Sequence, residues 1–323
     1  MSPSNTERIT SPFGYRSTAL DVMAGHDLTG KTVLVTGGSS GLGVETARAF
    51  IRANATVVLP VRDEQRGEEA LRTLGETENV EKVVLGALDL ANLSSIRTFS
   101  RWFLEHFSSL DVLINNAAVM ATPFESTVDG FEMQFGTNHL GHFALFSELV
   151  PALLAASTSR VVALSSIGHR RSPVIFDDVF FTSRPYEKWS SYGQSKTACS
   201  LFAVGVHQRY ADQGITANAV HPGGIMTGLQ KYLPHEEQVA MGWISPDGVL
   251  NELFKTTEQG AATSTWAAVG PELEGKGGLY LEDCAQALPA SKETPMGGVM
   301  DYAIDPELAD RLWALSSELV TSR

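Results

Sequence analysis

The sequence predicts an α/β protein built around one doubly wound, seven-stranded parallel sheet with flanking helices. Short runs rich in β-branched residues alternate with longer helical patterns from Lys31 onward. In order, the runs are Thr32-Val-Leu-Val, Thr56-Val-Val-Leu, Lys82-Val-Val-Leu, Asp111-Val-Leu-Ile, Arg160-Val-Val-Ala-Leu, Thr216-Ala-Asn-Ala-Val and Gly278-Leu-Tyr-Leu. Most are almost continuously apolar, which is typical of strands buried on both faces of a parallel sheet.

A glycine-rich turn, Thr36-Gly-Gly-Ser-Ser-Gly-Leu-Gly43, follows the first run and leads into a helical pattern from Val44. Glycines at this position let backbone N–H groups approach a pyrophosphate, and the next helix N-terminus adds favourable partial charge. The spacing is TGxxxGxG and not GxGxxG, and an ordinary glycine-rich turn is the alternative for the segment alone. At the first strand–helix junction it indicates a Rossmann-type dinucleotide site. Its candidate cofactor-binding residues are Gly37, Ser39, Ser40, Gly41, Leu42 and Gly43.

The end of the second run indicates which dinucleotide binds. An acidic residue there would hold the ribose 2′-hydroxyl of NAD, whereas an arginine nearby accommodates the 2′-phosphate of NADP. This run ends at Val61, and Arg62 and Asp63 follow. The acidic residue is absent where NAD needs it, so NADP(H) is favoured over NAD(H), with Arg62 as the phosphate ligand. Two alternatives stay open: a register shift would bring Asp63 closer to the ribose, and Arg62 could be a solvated surface residue.

The third and fourth runs end in polar and small residues that suit the rest of a nucleotide crevice. Asp89-Leu90 closes the third run, and Asn115-Asn116-Ala117-Ala118 closes the fourth. A small Ala-Ala pair lets a cofactor lie flat against the backbone. For Asp89 alone, a helix N-cap before the segment that starts at Asn92 is the alternative role. The candidate cofactor-binding residues here are Asp89, Leu90, Asn115 and Ala117.

An acid/base site is predicted after the fifth run, which ends at Ser165 and Ser166. A helix beginning near Ser191 carries Tyr192 and Lys196, which lie on one helical face because they are four residues apart. A free tyrosine has a pKa of about 10 and is a poor base, but a neighbouring ammonium favours the phenolate. Such a pair alone is usually an exposed helical pair. Its place at the carboxyl end of the sheet, where ligands bind, instead indicates carbonyl–alcohol interconversion.

Three stretches fall outside the strand–helix alternation. Residues 1–29 are expected to form an N-terminal extension, so that residues 30–323 form a single Rossmann-type domain. Residues 167–190 are expected to be a long loop. Residues 226–255, rich in Gly, Pro, Met and Trp, are expected to be an apolar lid over the substrate, with core packing or a subunit contact as the alternative. The candidate anchors of the extension are Phe13, Tyr15 and Leu20.

Composition argues against several functional classes. The 323 residues are 43% apolar and 19% charged, which supports a packed core and not disorder. A formal charge of −13 without a local basic patch argues against nucleic-acid binding. The chain shows neither the apolar run of a signal peptide nor the roughly 18 apolar residues of a membrane span, and two cysteines cannot build a disulfide framework. A cytoplasmic protein with no membrane span is expected.

Four histidines are candidate metal ligands. His139, His142, His169 and His221 do not form a dense ligand set, so packing or hydrogen-bonding roles are favoured and no metal is predicted. Cys199 is expected to be a buried structural thiol.

In order along the chain, TGGSSGLG, NNAA, Ser166, Tyr192 with Lys196, and Pro222-Gly223 with Thr227 resemble the motifs of the short-chain dehydrogenase/reductase family. The resemblance covers about residues 28–290. It implies that Asn138 kinks a helix and holds a water in a proton relay from the lysine. It also implies that Pro222, Gly223 and Thr227 contact the nicotinamide amide, that Ser166 is the active hydroxyl, and that the protein is a homo-oligomer.

Within that family, three further features resemble the retinol dehydrogenase and WW-domain oxidoreductase group. They are the long segment between Ser166 and Tyr192 and the phrases Glu258-Gln-Gly-Ala-Ala and Leu279-Tyr-Leu-Glu-Asp-Cys284. Unlike the membrane-bound members of that group, the chain shows no apolar N-terminal anchor.

The sequence therefore predicts an NADP(H)-dependent oxidoreductase that interconverts a ketone or aldehyde and an alcohol, on a fairly apolar small molecule. Two alternatives stay open. A cofactor-binding regulatory or scaffolding protein on this fold could dispense with the catalytic side chains, yet all are present. An epimerase or dehydratase using the same tyrosine is disfavoured by the TGxxxGxG spacing and the short tail after Tyr280. The predicted catalytic residues are Asn138, Ser166, Tyr192 and Lys196.

Overall fold

A mixed sheet of eight strands runs through the centre of the protein, whose computed structural model describes residues 8–323. The strands are β1 (Thr32–Val35), β2 (Thr56–Val61), β3 (Val83–Ala87), β4 (Val112–Asn115), β5 (Ser159–Leu164), β6 (Ile215–His221), β7 (Tyr280–Glu282) and β8 (Ala285–Gln286). Their order is β3-β2-β1-β4-β5-β6-β7-β8, and β1 to β7 pair in parallel. The predicted doubly wound α/β fold is confirmed.

Helices cover both faces of the sheet. They are α1 (Ala19–Met23), α2 (Leu42–Arg52), α3 (Glu64–Gly75), α4 (Leu93–His106), α5 (Met133–Phe135), α6 (Gly141–Ala155), α7 (Lys188–Tyr210), α8 (His235–Ala240), α9 (Thr257–Gly260), α10 (Ala262–Val269) and α11 (Pro306–Thr321). One core lies between the sheet and α4, α6, α7 and α11, and a second lies between the sheet and α1, α2, α3 and α10. Because both faces are buried, the strands are apolar on both sides.

The structure adds one strand to the seven predicted. β8 pairs antiparallel with β7, with Leu281 opposite Gln286, after a tight turn at Asp283 and Cys284. Both turn residues have positive φ, 50° and 55°, which lets the chain reverse at once. A strand of two residues is too short to show a hydrophobic period, so the sequence analysis missed it.

Two local expectations need correction. The segment 167–190 is not a loop throughout: it contains short 3₁₀ turns, and α7 begins at Lys188, three residues before Ser191, because the Glu187 carboxylate accepts the backbone N–H groups of Trp189 and Ser190. The alternative role of Asp89 as an N-cap is wrong, since the side chain of Asn92 caps α4.

The N-terminal segment is bound to the far end of the predicted lid. Tyr15 donates its hydroxyl proton to the carbonyl of Leu253, and the Arg16 guanidinium donates to the carbonyls of Glu252 at 2.9 Å and Phe254 at 3.3 Å. Of the other predicted anchors, Phe13 and Leu20 pack partly buried against the core beside α2 and α10. The part of the predicted extension before Arg8 lies outside the described residues.

Within residues 8–323, no helix combines the length and apolar character needed to cross a membrane.

Arg16→Met should loosen residues 250–256, at the end of the predicted lid, without unfolding the protein. A net hydrogen bond is worth about 0.5–1.5 kcal/mol, so amide hydrogen exchange in residues 250–256 should accelerate by up to about tenfold. Hydrogen exchange read by mass spectrometry measures this. Arg8→Met is the matched control, because Arg8 bonds to the carbonyl of Gln286 in β8 and not to the lid. Unchanged protection of residues 250–256 would show that the Arg16 hydrogen bonds do not stabilise this segment.

Candidate active site

A cleft of about 1220 Å³ opens at the carboxyl ends of the parallel strands. Side chains that follow β1, β2, β4, β5 and β6 line it, as expected where ligands bind in open α/β sheets. The predicted site residues that line the cleft are Gly37, Ser39, Ser40, Gly41, Leu42, Arg62, Asp89, Leu90, Ala117, Ser166, Tyr192, Lys196, Pro222, Gly223 and Thr227. Gly43, Asn115 and Asn138 lie behind its wall.

The glycine-rich turn is packed so tightly that side chains cannot replace its glycines. A Cβ on Gly43 would lie 2.1 Å from the carbonyl oxygen of Gly37, and a Cβ on Gly37 would lie 2.9 Å from the Cα of Ala117. Gly37 and Gly41 have positive φ, 65° and 56°. α2 begins at Leu42, two residues earlier than predicted, and no side chain of the described residues caps it. The open turn and the uncapped helix N-terminus suit a pyrophosphate.

A buried hydrogen-bond chain ties this turn to the helix that carries Asn138. The Nδ1 of His142 lies 2.9 Å from the carbonyl of Asn138, so Nδ1 must donate. Burial lowers the pKa of His142 to about 4, so the ring is neutral and its Nε2 accepts the Thr36 hydroxyl at 2.9 Å. The Thr36 oxygen in turn accepts the N–H groups of Asn116 and Ala117 at 2.9 and 3.0 Å. One imidazole therefore connects three segments of the site.

Two arginines and one aspartate follow the second strand. Arg62 and Arg66 both line the cleft. The Asp63 carboxylate is the N-cap of α3 and accepts the backbone N–H groups of Gln65 at 2.9 Å and Arg66 at 3.3 Å. Both bonds use the Oδ1 atom, and Asp63, the competing candidate for a ribose hydroxyl, is not among the residues that line the cleft. The sequence analysis missed Arg66, which lies one helical turn beyond Arg62.

Past the fourth strand, the two asparagines differ in position. Asn116 lines the cleft, and its side chain donates to the carbonyl of Thr36 at 2.8 Å. Asn115, the residue chosen from the sequence, turns its side chain into the protein interior, where neither amide atom has a hydrogen-bond partner among the described residues. Of the two asparagines, Asn116 is therefore the one at the cleft.

Tyr192 and Lys196 lie on the cleft side of α7 and are almost fully buried, with 5% and 3% of their surfaces exposed. The ammonium of Lys196 donates to the carbonyl of Leu164 at 2.8 Å and lies 5.7 Å from the centre of the Tyr192 ring. Gly168 allows this packing, since a Cβ there would lie 2.7 Å from the Tyr192 ring. The predicted pair is thus held in one geometry and is not an exposed helical pair.

The two serines after β5 have different environments. The Ser165 hydroxyl is buried, donates to the carbonyl of Lys196 at 2.9 Å and accepts from Ser200. The Ser166 hydroxyl is half-buried at the cleft and accepts the backbone N–H of Gly168 at 3.0 Å, and no described residue accepts its proton. Ser166 is therefore the serine with a donor available to a bound molecule.

Asn138 lies at a π-helical turn, residues 136–140, between α5 and α6. Its side-chain amide exchanges hydrogen bonds with the backbone of Val119, at 2.8 and 2.9 Å, and donates to the Ser195 hydroxyl on α7 at 2.9 Å. The helix irregularity implied by the resemblance is present. Cys199 contacts the Asn138 carbonyl at 3.3 Å, and burial raises the pKa of this thiol, as expected for a structural cysteine.

His221 and Lys255 support the segment after β6. The Nδ1 of His221 accepts the N–H groups of Ile167 at 3.3 Å and Gly223 at 3.4 Å, and burial, with the nearby Lys255 charge, lowers the pKa of His221 to about 4. The Lys255 ammonium is buried and forms a 2.5 Å ion pair with Asp283. Gly223, with φ of 98°, packs on the Lys255 side chain. This network holds the Pro222–Gly223 segment at the cleft.

Aromatic and aliphatic side chains line the other end of the cleft. The Trp189 ring packs edge-on against Tyr192 at 6.3 Å and against Trp243 at 6.0 Å. Met120 and Leu229 join this cluster. Tyr232, Met241, Trp243 and Phe254 of the predicted lid line the same end.

A segment near the C-terminus, which the sequence did not predict as part of the site, also lines the cleft. Pro295 and Met296 line the cleft, and Arg170 binds this segment through the carbonyls of Thr294 at 2.7 Å and Gly297 at 2.8 Å. The segment has no hydrophobic period and lies more than a hundred residues from its partner, so no local sequence signal indicated it.

Residues 31–238 match the family described as short chain dehydrogenase. A short-chain dehydrogenase/reductase of Penicillium roqueforti is 40% identical over 318 residues, which cover 96% of this chain and 92% of that protein. Human retinol dehydrogenase 13 is 39% identical over 295 residues, covering 91% of this chain and 85% of the relative. An uncharacterized protein from Mycobacterium Paratuberculosis has a similar crystal structure, with a TM-score of 0.69, 33% identity and coverage of 95% and 98% of the two chains.

Stability should fall as the pH drops from about 6.5 to about 4. Burial lowers the pKa of His139 to about 3 and of His142, His169 and His221 to about 4. The unfolded chain takes up these protons near pH 6.5 while the folded protein does not, so protonation favours unfolding within this window. Each group contributes up to about 1.4 kcal/mol per pH unit. Urea unfolding at a series of pH values measures the slope.

Replacing one histidine isolates its contribution, which matters because burial raises the pKa of Glu132 and Glu282 and acts in the opposite direction. His139→Gln should reduce the slope by up to about 1.4 kcal/mol per pH unit. Ser316→Ala, which removes the hydrogen-bond partner of His139 at 2.7 Å, should lower stability but keep the slope. Equal slopes in wild type and His139→Gln would contradict the assignment.

Proposed function

Because the chain belongs to the short-chain dehydrogenase family, we propose that it is an NADP(H)-dependent enzyme that interconverts an apolar ketone or aldehyde and the corresponding alcohol. The family makes the protein an oxidoreductase, and the likeness to the retinol dehydrogenase and WW-domain oxidoreductase group is confirmed. One observation carries the finer proposal. The phenol of Tyr192, backed by Lys196, lines the same cleft as the open hydroxyl of Ser166 and the glycine-rich turn.

The chain's own residues would manage the substrate oxygen and its proton. Ser166 donates a hydrogen bond to the substrate oxygen, and Tyr192 gives it a proton in reduction or removes one in oxidation. The Lys196 ammonium lies 5.7 Å from the centre of the Tyr192 ring and places a positive charge beside the reacting group. Asn138 acts at a distance, because its bond to Ser195 positions α7. The nicotinamide, when bound, supplies or accepts the hydride.

The dinucleotide would be held along the whole cleft. The glycine-rich turn and the N-terminus of α2 would bind the pyrophosphate. Asp89, Leu90 and Ala117 would contact the adenosine side, whereas Pro222, Gly223 and Thr227 would contact the nicotinamide. Thr227 packs close to Gly41, where a Cβ would lie 3.3 Å from its methyl group. This contact places the segment after β6 next to the glycine-rich turn.

The preference for NADP(H) rests on charge at the end of β2. Arg62 and Arg66 offer two guanidinium groups that line the cleft, whereas Asp63 does not line it. The proposal of an apolar substrate is based on the cluster of Trp189, Trp243 and Met120 beside Tyr192. A lid at residues 226–255, a homo-oligomer and a cytoplasmic location stay predictions.

Tyr192→Phe should lower turnover of ketones by about 10²- to 10⁴-fold, the usual contribution of general acid–base catalysis. NADPH binding, followed by fluorescence, should persist because the ring remains. Tyr210→Phe is the matched control, since Tyr210 lies at the opposite end of α7. Near-normal turnover in Tyr192→Phe would refute the role of the phenol.

The wild-type assay also separates the two alternative functions. A scaffolding protein would bind NADPH and reduce no ketone. An epimerase or dehydratase would form product without net consumption of NADPH.

Arg62→Ala should reduce the ratio of kcat/KM for NADPH to that for NADH by about tenfold or more, because a charge-assisted hydrogen bond is worth about 1.5–3 kcal/mol. Arg62→Ala combined with Arg66→Ala should reduce it further. Arg101→Ala serves as control, because Arg101 is an exposed arginine on α4 that does not line the cleft. An unchanged ratio in the double variant would mean that neither arginine binds the 2′-phosphate.

A further inference from the structure

The substrate end of the cleft is cationic although the protein is acidic. The formal net charge of the chain is −13. Yet the charged side chains that line this end, near the Trp189 cluster, are Arg170, Arg171 and Lys231. The carboxylates among the described lining residues, Glu69 and Asp89, lie at the opposite end beside Arg62. An arrangement of this kind favours an anionic ligand at the substrate end.

Among these cations, Arg171 and Lys231 have free donors, and Arg171 is the one beside Tyr192. Arg170 donates to the carbonyls of Thr294 and Gly297. Lys231 lies over the ring of Tyr232, which does not belong to the cluster of Trp189 and Tyr192. The Arg171 side chain is exposed and makes no hydrogen bond or ion pair with any residue in the range 8–323. Its guanidinium carbon lies 5.1 Å from the centre of the Trp189 ring, a cation–π contact. The group is therefore positioned while its donors remain available.

Two carboxylates beside Trp189 are hydrogen-bonded to other groups, although the Arg171 charge still helps to lower the pKa of one of them, Glu187. Glu187 accepts the backbone N–H groups of Trp189 at 3.0 Å and Ser190 at 2.7 Å as the N-cap of α7. Glu237 accepts from Lys188 at 2.6 Å and from the indole N–H of Trp189 at 2.8 Å. The second bond also fixes the indole on which Arg171 stacks. Little rotamer freedom would thus be lost when the guanidinium binds a ligand.

The guanidinium lies within reach of a molecule that also contacts Tyr192. The centre of the Trp189 ring is 6.3 Å from that of the Tyr192 ring and 5.1 Å from the Arg171 guanidinium carbon, so the guanidinium is no more than 11.4 Å from the centre of the phenol ring. The space between them is bounded by the apolar cluster of Met120, Leu229 and Trp243.

We propose that Arg171 is a specificity-determining residue that binds a carboxylate at one end of an apolar substrate whose carbonyl or alcohol group lies at Tyr192. The substrate class is therefore an apolar oxo acid or hydroxy acid. Arginine matches a carboxylate through two parallel hydrogen bonds, which a lysine cannot reproduce. This inference rests on the proposed function and adds the charge of the substrate to it. The competing explanation is that Arg171 only packs on Trp189.

A ketone in charged and neutral forms tests the inference. Benzoylbutyrate and its methyl ester share an aryl ketone and differ in the carboxylate. Wild type should prefer the acid, and Arg171→Met should lower kcat/KM for the acid by about 10- to 100-fold, mainly through KM. The ester should change by less than about threefold, since Met retains an apolar contact with Trp189. Arg171→Lys should recover only part of the loss. Arg101→Met, an exposed charge loss on α4, should change neither.

A binding measurement separates failure of this inference from failure of the proposed function. Calorimetric dissociation constants of the acid and the ester are measured on the NADPH-saturated protein, without turnover. Tighter binding of the acid that is lost in Arg171→Met supports the anion site, even if neither ketone is reduced. Equal binding of acid and ester by wild type, or equal losses for both in Arg171→Met, would overturn it and leave Arg171 with a packing role. Absence of NADPH oxidation despite selective binding would instead count against the proposed reaction.

Discussion

The neutral imidazole of His142 is the connection on which the geometry of the cleft depends. It donates to the carbonyl of Asn138 and accepts from Thr36, whose oxygen receives the N–H groups that follow β4. The glycine-rich turn, the segment that follows β4 and the π-helical turn at Asn138 are thereby held in fixed positions relative to one another. Because this ring is fully buried, desolvation keeps it uncharged and so keeps one nitrogen an acceptor. A second bond, from Asn138 to Ser195, extends this chain of hydrogen bonds to α7, the helix that carries Tyr192.

Two kinds of structure meet at the cleft. The half beside the sheet is built from strand ends and tight glycine contacts, such as the one between Gly43 and Gly37, and tolerates almost no change in shape. The other half consists of short turns and side chains from residues 226–255 and 291–297, held by a few hydrogen bonds to loop carbonyls. A rigid half fixes the geometry of groups bound beside the sheet, whereas the other half can change shape with fewer broken contacts.

The sequence was sufficient for the features that depend on local pattern. Each of β1 to β7 could be predicted because it is an apolar run buried on both faces, and Tyr192 with Lys196 could be predicted because helical spacing places them on one side. β8 could not, since two residues carry no period. Asn116 rather than Asn115 reaches the cleft because side chains alternate at a strand end, and no composition rule reveals which of two asparagines points outward. The roles of His142 and Arg170 depend on partners distant in sequence.

Charge distribution explains how an acidic protein can accept anionic molecules. Charges spread over an exposed surface are screened within about 8–10 Å at physiological ionic strength, whereas those that line a cleft act across a shorter and less hydrated path. Arg62 and Arg66 lie at one end of the cleft, Lys196 lines it beside Tyr192, and Arg170 and Arg171 lie at the other end. The local field of the site is therefore opposite in sign to the formal net charge of −13. A dinucleotide and an anionic substrate would both enter along this line of positive charge, so the global composition does not limit the charge of the ligand.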